Sequence, residues 1–393
     1  MKSSDPYGNY TYPNKVGLIN GGKNYFETCL KIINNAKSVI HLQTYIFDGD
    51  ETGTMVGNAL KDAVKRGVEV KVLIDGYASQ NLSGEFIADI RAAGVRFKFF
   101  EPLFRGKSFY FGRRLHHKIL VADDKVALVG GVNISNKYND IADQKAWLDF
   151  GICVEGPVCP LLSNLCRIVW NGFIPSKKNL PVKQEFFFSD SDEIAKVRMR
   201  RNDWVKNKNQ ISKSYIEMFR KAEDEIIILC SYFIPGNAIR RNMLRAVNRG
   251  VKIKVIMTGL SDVPVAKNAE RYMYAWLLRN KIDIYEYQEN ILHGKVAVYD
   301  KKWVTLGSYN INDISAFASI ELNLDVLDDA FAGKVYSTLS GIIEKKCIPV
   351  STTKQPFRLN PIKKFIAWVS YQFIRLVFYL FTFYFRQDKP DRS

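Results

Sequence analysis

The sequence has few histidines and no cysteine pattern that would hold a metal. Only four of its 393 residues are histidine, and its six cysteines include no Cys-x-x-Cys pair. The spacing excludes the common cysteine-rich zinc sites. Several cysteines stand inside apolar runs, which is typical of buried thiols in a reduced compartment. The N-terminal residues are polar and form no apolar signal region, so we expect no export through a cleaved signal.

Acidic residues are scarce relative to basic ones. The chain has 57 lysines and arginines against 40 aspartates and glutamates, a formal net charge of +17. This excess indicates attraction to nucleic acid, an acidic membrane surface or a phosphate-bearing substrate. Charge that only keeps the chain soluble is the alternative. Hydrophobic residues make up 47% of the chain, enough for a buried core, and the length predicts two or three domains or one double domain.

Three of the four histidines stand in two copies of one pattern. The pattern is His-x-Lys-x4-Asp followed by Gly-x-x-Asn, and its copies begin at His116 and His293. The other members are Lys118, Asp123, Gly130 and Asn133 in the first copy, and Lys295, Asp300, Gly307 and Asn310 in the second. Two copies in a chain so poor in histidine predict one active site built from two halves.

The surroundings of the motifs also repeat. Apolar, strand-like runs at 38–47 and 225–234 are each followed by a helical stretch and then by another apolar run. This alternation predicts an α/β fold with two related halves and largely parallel, buried strands. We expect the first half at 1–175, a solvated linker at 176–209 and the second half at 210–350. The basic residues at 198–203 are assigned to that linker, and substrate binding by them is the alternative.

The C-terminal tail, residues 361–386, is apolar and aromatic with basic flanks. Residues 365–385 have the length of a membrane-spanning helix. However, Gln372 and Arg375 stand near the middle, where a charge would cost about 3 kcal/mol in a bilayer. A helix lying in the membrane interface avoids that cost, so lipid contact by the tail is the leading hypothesis. A packed core or dimer helix and a true membrane span are the alternatives.

The residue types of the doubled motif suit phosphoryl transfer. A neutral histidine can attack phosphorus to form a covalent phosphohistidine, and a second, protonated histidine can give its proton to the leaving oxygen. The lysines supply positive charge for the non-bridging oxygens, and Asn133, Asn310 and Ser308 are predicted to add phosphate-binding donors. Such a site needs no metal or other cofactor, and paired ammonium groups would repel a divalent cation.

Each histidine of such a site also needs a carboxylate that fixes its tautomer. The candidates are Asp149 and Glu321, since each follows a motif inside an apolar, strand-like run where an idle carboxylate would be costly. Surface charges on edge strands are the alternative. Asp123 and Asp300 begin turns, so we expect their work to be mainly structural.

The doubled motif resembles that of the phospholipase D superfamily, and the finer resemblance is to bacterial cardiolipin synthases of that type. It covers roughly residues 17–328. Among the segments on which it rests are Thr44-Tyr45-Ile46-Phe47, Arg114-Leu115-His116-His117-Lys118, Val154-Glu155-Gly156-Pro157 and Tyr232-Phe233-Ile234-Pro235-Gly236. The resemblance implies two α/β halves related by a pseudo-twofold axis, with one shared active site. To this fold we expect the tail to add a membrane-associating helix.

The resemblance implies a cardiolipin synthase whose catalytic set is the His, Lys and Asp of both motifs. His116 would attack one phosphatidylglycerol and hold its phosphatidyl group while glycerol, protonated by His293, leaves. A second phosphatidylglycerol would then collect the group. The expected partners are anionic phospholipid and a membrane surface rather than nucleic acid. The expected location is the cytoplasmic face of the cell membrane, with peripheral or monotopic attachment.

The same scaffold serves other chemistry. A phospholipase D using water as acceptor and a nuclease favoured by the positive charge are the alternatives, while two intact motifs disfavour a non-catalytic membrane-binding protein. The chain departs from the family pattern at Gln43, often a glutamate, and at Gly131, which replaces a serine. His41 and His117 are interpreted as packing or solvent-exposed histidines rather than catalysts. The basic aromatic stretch at 104–114 is either a headgroup contact or an ordinary exposed loop.

Overall fold

The computed structural model describes two α/β halves and a C-terminal helix. The described residues are 10–101, 113–142, 144–173, 194–203, 208–312, 319–351 and 361–384. Most of the basic aromatic stretch 104–114, the linker as far as residue 193 and the last residues of the tail lie outside these ranges.

The first half contains the following strands and helices. Its strands are β1 (Thr11–Asn20), β2 (Val39–Thr44), β3 (Glu69–Asp75), β4 (Arg96–Phe100), β5 (Arg114–Leu115), β6 (Lys118–Ala122), β7 (Val126–Gly130) and β8 (Phe150–Glu155). Its helices are α1 (Lys23–Asn35), α2 (Glu51–Lys65), α3 (Gly84–Ala92) and α4 (Val158–Trp170).

The second half has a matching set of elements and is followed by the C-terminal helix. Its strands are β9 (Ile194–Asp203), β10 (Lys208–Asn209), β11 (Glu225–Cys230), β12 (Lys252–Leu260), β13 (Asp283–Ile291), β14 (Lys295–Tyr299), β15 (Trp303–Gly307), β16 (Ser319–Leu327) and β17 (Cys347–Val350). The helices are α5 (Gln210–Lys221), α6 (Asn237–Asn248), α7 (Pro264–Arg279), α8 (Asp329–Lys346) and, at the C-terminus, α9 (Pro361–Tyr384).

Both halves repeat one order of seven strands. The order is β4-β3-β2-β6-β7-β8-β1 in the first half and β13-β12-β11-β14-β15-β16-β9 in the second. This confirms the predicted pair of α/β halves. The expectation of largely parallel strands is wrong, because among the described pairings within these two orders only β2 to β4 and β11 to β13 run parallel. Each motif strand instead belongs to an antiparallel hairpin.

The turns of the two motif hairpins have the same backbone conformation. Asp123 and Asp124 in one turn, and Asp300 and Lys301 in the other, have φ between 50° and 57°. Two consecutive left-handed residues form a tight turn that suits the twist of the flanking strands, and each hairpin loop has three residues because Ala122 pairs with Val126 and Tyr299 with Trp303. Aspartate tolerates this conformation better than most residues, so the last position of each motif fits the turn that closes its hairpin.

Strand β9 joins the two halves, and it corrects the expected linker. It pairs antiparallel with β1 and with β16, so the solvated-linker prediction is wrong for residues 194–203. Arg198 is only 1% exposed. Its Nε donates to Asp325 Oδ2 at 2.9 Å and its Nη2 to Glu217 Oε2 at 2.8 Å. The basic composition was misleading because the acidic partners of this arginine lie 19 and 127 residues away in sequence.

A central apolar cluster packs the two halves together. It includes Ile152 and Val154 from the first half with Val304 and Leu324 from the second, all fully buried. Two further clusters lie within the separate halves, one under α1 and α2 and the other under α5, α6 and α7. Because the central cluster draws members from both halves, neither half would bury all of its apolar surface alone.

Helix α9 packs one face against α7 and leaves the other face open. Ala367 is 3% exposed, and the ring centroids of Tyr371 and Tyr272 lie 4.7 Å apart. The exposed large apolar residues of α9 are Ile362, Phe365, Ile366, Trp368, Val369, Phe373 and Leu376. Among the helices described, none combines the length and the apolar character that a bilayer crossing requires.

Replacing Asp325 with alanine should destabilise the fold by about 3–5 kcal/mol, because the buried Arg198 guanidinium loses its main partner. The free energy of unfolding from urea denaturation measures this loss. The matched control is Glu69→Ala. Glu69 pairs with Lys71 and Arg96 and is 39% exposed, so its loss should cost less than about 1 kcal/mol. Equal losses in the two variants would contradict the importance of the buried pair.

Candidate active site

The backbone around each motif histidine is bonded to the opposite half of the molecule. The N–H of His116 donates to the carbonyl of Ile320 at 3.0 Å. The N–H groups of His293 and Gly294 donate to the carbonyl of Leu148 at 2.8 and 2.9 Å. Each motif is therefore anchored against the segment that follows the other motif, and this brings the two copies into one site.

The side chains repeat this crossed arrangement. His116 Nδ1 lies 2.9 Å from Glu321 Oε1, and His293 Nδ1 lies 2.6 Å from Asp149 Oδ2. Both carboxylates are at most 1% exposed. The two predicted supporting carboxylates thus do contact the motif histidines, but each serves the histidine of the other half. Their position in the sequence gave no sign of this exchange.

These contacts define the tautomer of both imidazoles. A carboxylate only accepts hydrogen bonds, so Nδ1 of each ring donates and Nε2 of a neutral ring keeps its lone pair. Burial, and after it the charge of Lys295, lower the pKa of His293 to about 4 against the influence of Asp149. Burial also lowers the pKa of His116, while Glu321 opposes the effect. Without substrate, both rings are therefore neutral near pH 7, with Nε2 able to act as a nucleophile or base.

The motif lysines lie beside the histidines and are almost fully buried. Lys118 Nζ donates to the carbonyl of His116 at 2.6 Å, and Lys295 Nζ donates to the carbonyl of His293. Burial lowers the pKa of Lys118 to about 7, with Glu321 opposing and Lys295 adding to the decrease. Burial likewise lowers the pKa of Lys295. Two ammonium groups held in so little water create a strong demand for an anion.

Ser308 and Asn133, predicted to bind phosphate, are engaged within the protein. The Ser308 hydroxyl donates to Glu321 and accepts the N–H of Leu322 at 3.1 Å, so it holds the supporting carboxylate in place. The Asn133 amide accepts from the backbone of Ile46 at 3.2 Å and donates to the Tyr138 hydroxyl at 2.9 Å. The Ser308 hydroxyl and one of the two N–H groups of the Asn133 amide are therefore already used within the protein.

Asn310 differs from these two residues. Its Oδ1 accepts from the Ser231 hydroxyl at 2.9 Å, which fixes the orientation of the amide. Its Nδ2 has no hydrogen-bond partner among the described residues, although the residue is only 6% exposed. Of the three predicted phosphate-binding side chains, Asn310 is the one whose donor atom has no protein partner among the described residues, so both of its N–H groups are available to a ligand.

Asp123 and Asp300 stand at the far ends of their strands and take a structural part. Asp123 is five positions along the strand from Lys118, a distance of about 16 Å. The Asp123 carboxylate accepts the backbone N–H groups of residues 37–39 at 2.7 to 2.9 Å. Asp300 does the same for residues 223–225 at 2.8 to 3.0 Å. Each aspartate therefore fixes the start of the neighbouring strand, β2 or β11, which runs antiparallel to the motif strand. The structure does not bring either aspartate to the histidines.

The two remaining histidines and Gln43 are buried in the first half. His117 Nε2 lies 2.8 Å from Gln43 Oε1, and Gln43 Nε2 donates to the carbonyl of Cys166 at 2.8 Å. Burial lowers the pKa of His117 to about 3 and that of His41 to about 4. Both imidazoles are therefore neutral packing groups, as interpreted from the sequence, and the Gln43 amide serves to position His117.

Sequence reasoning missed the aromatic walls of the site. The Tyr45 ring meets the His116 ring edge-on at 4.8 Å, and Lys118 Nζ lies 5.2 Å from the Tyr45 centroid. Tyr138 meets His293 edge-on at 5.0 Å. Tyr45 belongs to one of the segments that carry the resemblance to the family, so the sequence contained a signal for its role. Nothing in the spacing of the motifs indicated Tyr138.

The position of the supporting carboxylate Asp149 explains why residue 131 is a glycine. A β-carbon at this position would overlap both side-chain oxygens of Asp149. The equivalent residue of the second half is Ser308, which donates to the longer Glu321. The shorter aspartate brings its carboxylate closer to the backbone, so aspartate pairs with glycine in one half and glutamate with serine in the other.

Comparison with known proteins identifies the family to which the chain belongs. The family described as "Cardiolipin synthase, PLD-like domain" matches residues 29–146 and 215–342, one stretch around each motif. "Cardiolipin synthase B" of Escherichia coli (strain K12) is 33% identical over 358 residues, covering 88% of this chain and 84% of that protein. "Cardiolipin synthase" of Oceanobacillus iheyensis is 27% identical over 337 residues, covering 86% and 70%.

Solved structures share the fold at low sequence identity. Phosphatidylserine synthase of Haemophilus influenzae superposes with a TM-score of 0.70 at 14% identity, covering 93% of this chain and 95% of that one. Polyphosphate kinase of Porphyromonas gingivalis gives 0.58 at 14% identity, covering 93% and 53%. The doubled site and these similarities show that the chain belongs to the phospholipase D-like cardiolipin synthase family.

Proposed function

We propose that the protein is a cardiolipin synthase that transfers a phosphatidyl group from one phosphatidylglycerol to another. The observation that carries the proposal is the pair of motif histidines, each held through Nδ1 by a buried carboxylate of the other half. The likeness to proteins named cardiolipin synthase supports the choice of substrate.

In the first step, His116 Nε2 attacks the phosphorus of phosphatidylglycerol. The bond from phosphorus to the glycerol oxygen breaks, and His293 gives its Nε2 proton to that oxygen. The negative phosphate offsets the charge of Lys295 and so raises the pKa of His293 from its substrate-free value, which lets the ring carry this proton. The phosphatidyl group is left on His116 through a phosphorus–nitrogen bond.

In the second step, a hydroxyl of another phosphatidylglycerol gives its proton to His293 and attacks the same phosphorus. The phosphorus–nitrogen bond breaks, His116 is restored and cardiolipin leaves. Lys118 and Lys295 stabilise the non-bridging oxygens in both steps, and the free Nδ2 of Asn310 adds a donor. Every proton taken up in one step is returned in the other, so the cycle needs no further reactant.

Product analysis separates this function from its alternatives. The purified protein is incubated with phosphatidylglycerol vesicles and, separately, with labelled DNA. Cardiolipin and free glycerol are the expected products. Phosphatidic acid without cardiolipin would replace the synthase with a phospholipase D, and cut DNA with untouched lipid would replace it with a nuclease.

Replacing either motif histidine with alanine should lower turnover by at least about a thousandfold, since each ring has a different covalent or proton-transfer task. His293→Ala should slow the second step enough for labelled phosphatidyl groups to remain on the protein, whereas His116→Ala should carry no label. The label is measured on protein denatured in alkali. The control is His41→Ala, which removes a buried histidine outside the site. Label on His116→Ala would contradict the assigned nucleophile.

Anion binding should weaken as the pH rises through about 7, because the Lys118 ammonium, with its pKa lowered to about 7, loses its proton there. Tungstate is a suitable ligand, since this tetrahedral dianion keeps its charge across the range. Its dissociation constant, measured by calorimetry, should rise severalfold between about pH 6.5 and 8.5. Lys118→Arg, whose guanidinium stays charged, should remove most of the change. A pH-independent constant in the wild type would disprove the proposed titration.

We further propose that the outer face of α9 and the turn before α7 lie on an anionic membrane. Leu260 at the end of β12, Val263 in the turn and Val265 in the first turn of α7 are 43% to 51% exposed. Tyr232 donates to Asp262 of the same turn at 2.6 Å, and the charge of Asp262 acts on Lys295. The turn is therefore close to the motif residues. Attachment through both elements would hold the site near the lipids on which it acts.

The net charge and the free thiols of the protein support the proposed membrane face and the proposed peripheral or monotopic attachment. The net charge of +17 is complementary to anionic headgroups, and Lys363 and Lys364 stand exposed at the start of α9. All six cysteines are free thiols, which suits the reducing cytoplasm. Peripheral or monotopic binding at the cytoplasmic face of the cell membrane is the arrangement proposed.

The double variant Phe365→Glu/Phe373→Glu should reduce binding to phosphatidylglycerol vesicles at least tenfold. Each exposed ring is worth about 2 kcal/mol when it leaves water, and each new carboxylate is repelled by the headgroups. Co-sedimentation with vesicles measures the bound fraction. The control is Tyr12→Glu, which adds one charge at an aromatic residue that is 61% exposed on β1. Undiminished sedimentation of the double variant, or of a chain truncated at Asn360, would exclude α9 as the anchor.

A further inference from the structure

The pseudo-twofold symmetry is broken beside the first motif. The backbone N–H of the residue before each motif histidine donates to an equivalent side chain, which is Asp75 in the first half and Thr258 in the second. Two residues before the histidines stand Arg114 in the first half and Ile291 in the second. The first half therefore has a cation and a carboxylate where the second half has neutral groups. Since the histidines, lysines and carboxylates are otherwise matched, this difference calls for a task that only one half performs.

The Arg114 guanidinium is only partly satisfied. Its Nη1 lies 3.5 Å from Asp75 Oδ1 and donates to the carbonyl of Glu101 at 3.3 Å. The Asp75 carboxylate already accepts three backbone N–H groups at 2.8 to 3.1 Å. Arg114 Nη2 is buried and has no hydrogen-bond partner among the described residues. A buried charged donor without an acceptor is costly, and a phosphate oxygen is the type of acceptor that a guanidinium binds best.

Tyr45 connects Arg114 to the two motif residues that hold the transferred group. One side of its ring contacts His116 and Lys118 at 4.8 and 5.2 Å. The charges of Asp75 and Arg114 also act on the Tyr45 hydroxyl, Asp75 raising and Arg114 lowering its pKa after the larger effect of burial. Arg114 stands two positions before His116 in an extended segment, where Arg114 pairs with Ser319 and the N–H of His116 donates to the carbonyl of Ile320. Side chains two positions apart on such a segment project from the same face, and their α-carbons are about 6–7 Å apart.

The chemistry of the proposed reaction requires a second phosphate at a similar distance. Cardiolipin has two phosphates joined by one glycerol, so six covalent bonds of about 1.5 Å separate the phosphorus atoms and allow a span of about 6–7 Å. When the acceptor hydroxyl reaches the phosphorus on His116, the acceptor's own phosphate must lie within that span. Lys118 and Lys295 are occupied by the transferred group, and among the described residues Arg114 is a nearby cation with an unused donor.

We propose that Arg114 forms a subsite for the phosphate of the acceptor phospholipid. This inference rests on the proposed function and adds to it the means by which a lipid hydroxyl is chosen over water. With its phosphate at Arg114, the acceptor presents its terminal hydroxyl to the phosphohistidine. Water and free glycerol have no phosphate and gain nothing from the subsite. Arg114 is thus a residue that determines acceptor specificity, while the transfer to His116 does not depend on it.

The test compares two acceptors in one reaction mixture. The full chain is incubated with phosphatidylglycerol vesicles and labelled free glycerol. Cardiolipin formation uses an acceptor with a phosphate, whereas entry of label into phosphatidylglycerol uses an acceptor without one. In Arg114→Gln, cardiolipin formation should fall about tenfold or more, the loss expected for a charge-assisted hydrogen bond, and glycerol exchange should stay within about twofold of wild type.

Two further variants support the comparison. Arg96→Gln removes an exposed arginine of the same half, 63% exposed and paired with Glu69, and should alter neither reaction. Arg114→Lys keeps the charge but cannot bridge two phosphate oxygens, so it should give a smaller, severalfold fall confined to cardiolipin formation. If Arg114→Gln does not fold, Arg114→Lys provides the decisive ratio.

Each outcome decides for or against the subsite. An equal fall of both reactions would assign Arg114 a purely structural role, and unchanged cardiolipin formation would remove it from acceptor binding. Either result would overturn the inference while the synthase function stands. A wild-type protein that exchanges or hydrolyses phosphatidylglycerol but forms no cardiolipin would instead overturn the proposed function, and the acceptor subsite with it.

Discussion

The hydrogen bond between each motif histidine and a buried carboxylate of the opposite half is the interaction on which the site depends. His116 is held by Glu321 and His293 by Asp149. Neither half by itself therefore contains a motif histidine together with the carboxylate that supports it. The same crossing is repeated in the backbone, where each motif bonds to the segment after the other motif. Assembly of the central core and assembly of the site are therefore one event, because the two halves cannot separate without leaving buried carboxylates unpaired.

Burial gives this site its chemical character. Lys118 and Lys295 are at most 2% exposed, and loss of hydration is the largest influence on the pKa of each lysine and each motif histidine. In such surroundings, a bound phosphate restores the charged forms of the groups that must hold it and protonate its leaving group. The substrate thus supplies part of the electrostatic balance, and the free protein keeps both imidazoles neutral.

The duplicated architecture is most informative where its halves differ. Aspartate with glycine in one half and glutamate with serine in the other give the same result, a carboxylate at Nδ1. Arg114 and Ile291 give different results, a cation with an unused donor on one side and an apolar residue on the other. The second half also bears α9 and the exposed turn at 260–265. A symmetric pair of catalytic groups is thereby set in asymmetric surroundings, as transfer between two lipid molecules in different roles requires.

The sequence by itself determined the two-half α/β fold, the motif residues and the two supporting carboxylates, because fixed spacings and buried polar residues leave a local record. The sequence did not determine which carboxylate supports which histidine, because Asp149 and His293 are 144 residues apart and meet only when the two halves pack together. The basic composition of β9 indicated a linker for the same reason, because Asp325, the buried partner of Arg198, is 127 residues away in the sequence. The hydroxyl of Ser308 and the unused donor of Arg114 were likewise decided by distant partners. Spacing along the chain specifies which groups exist, and tertiary packing specifies which of them remain free to bind a ligand.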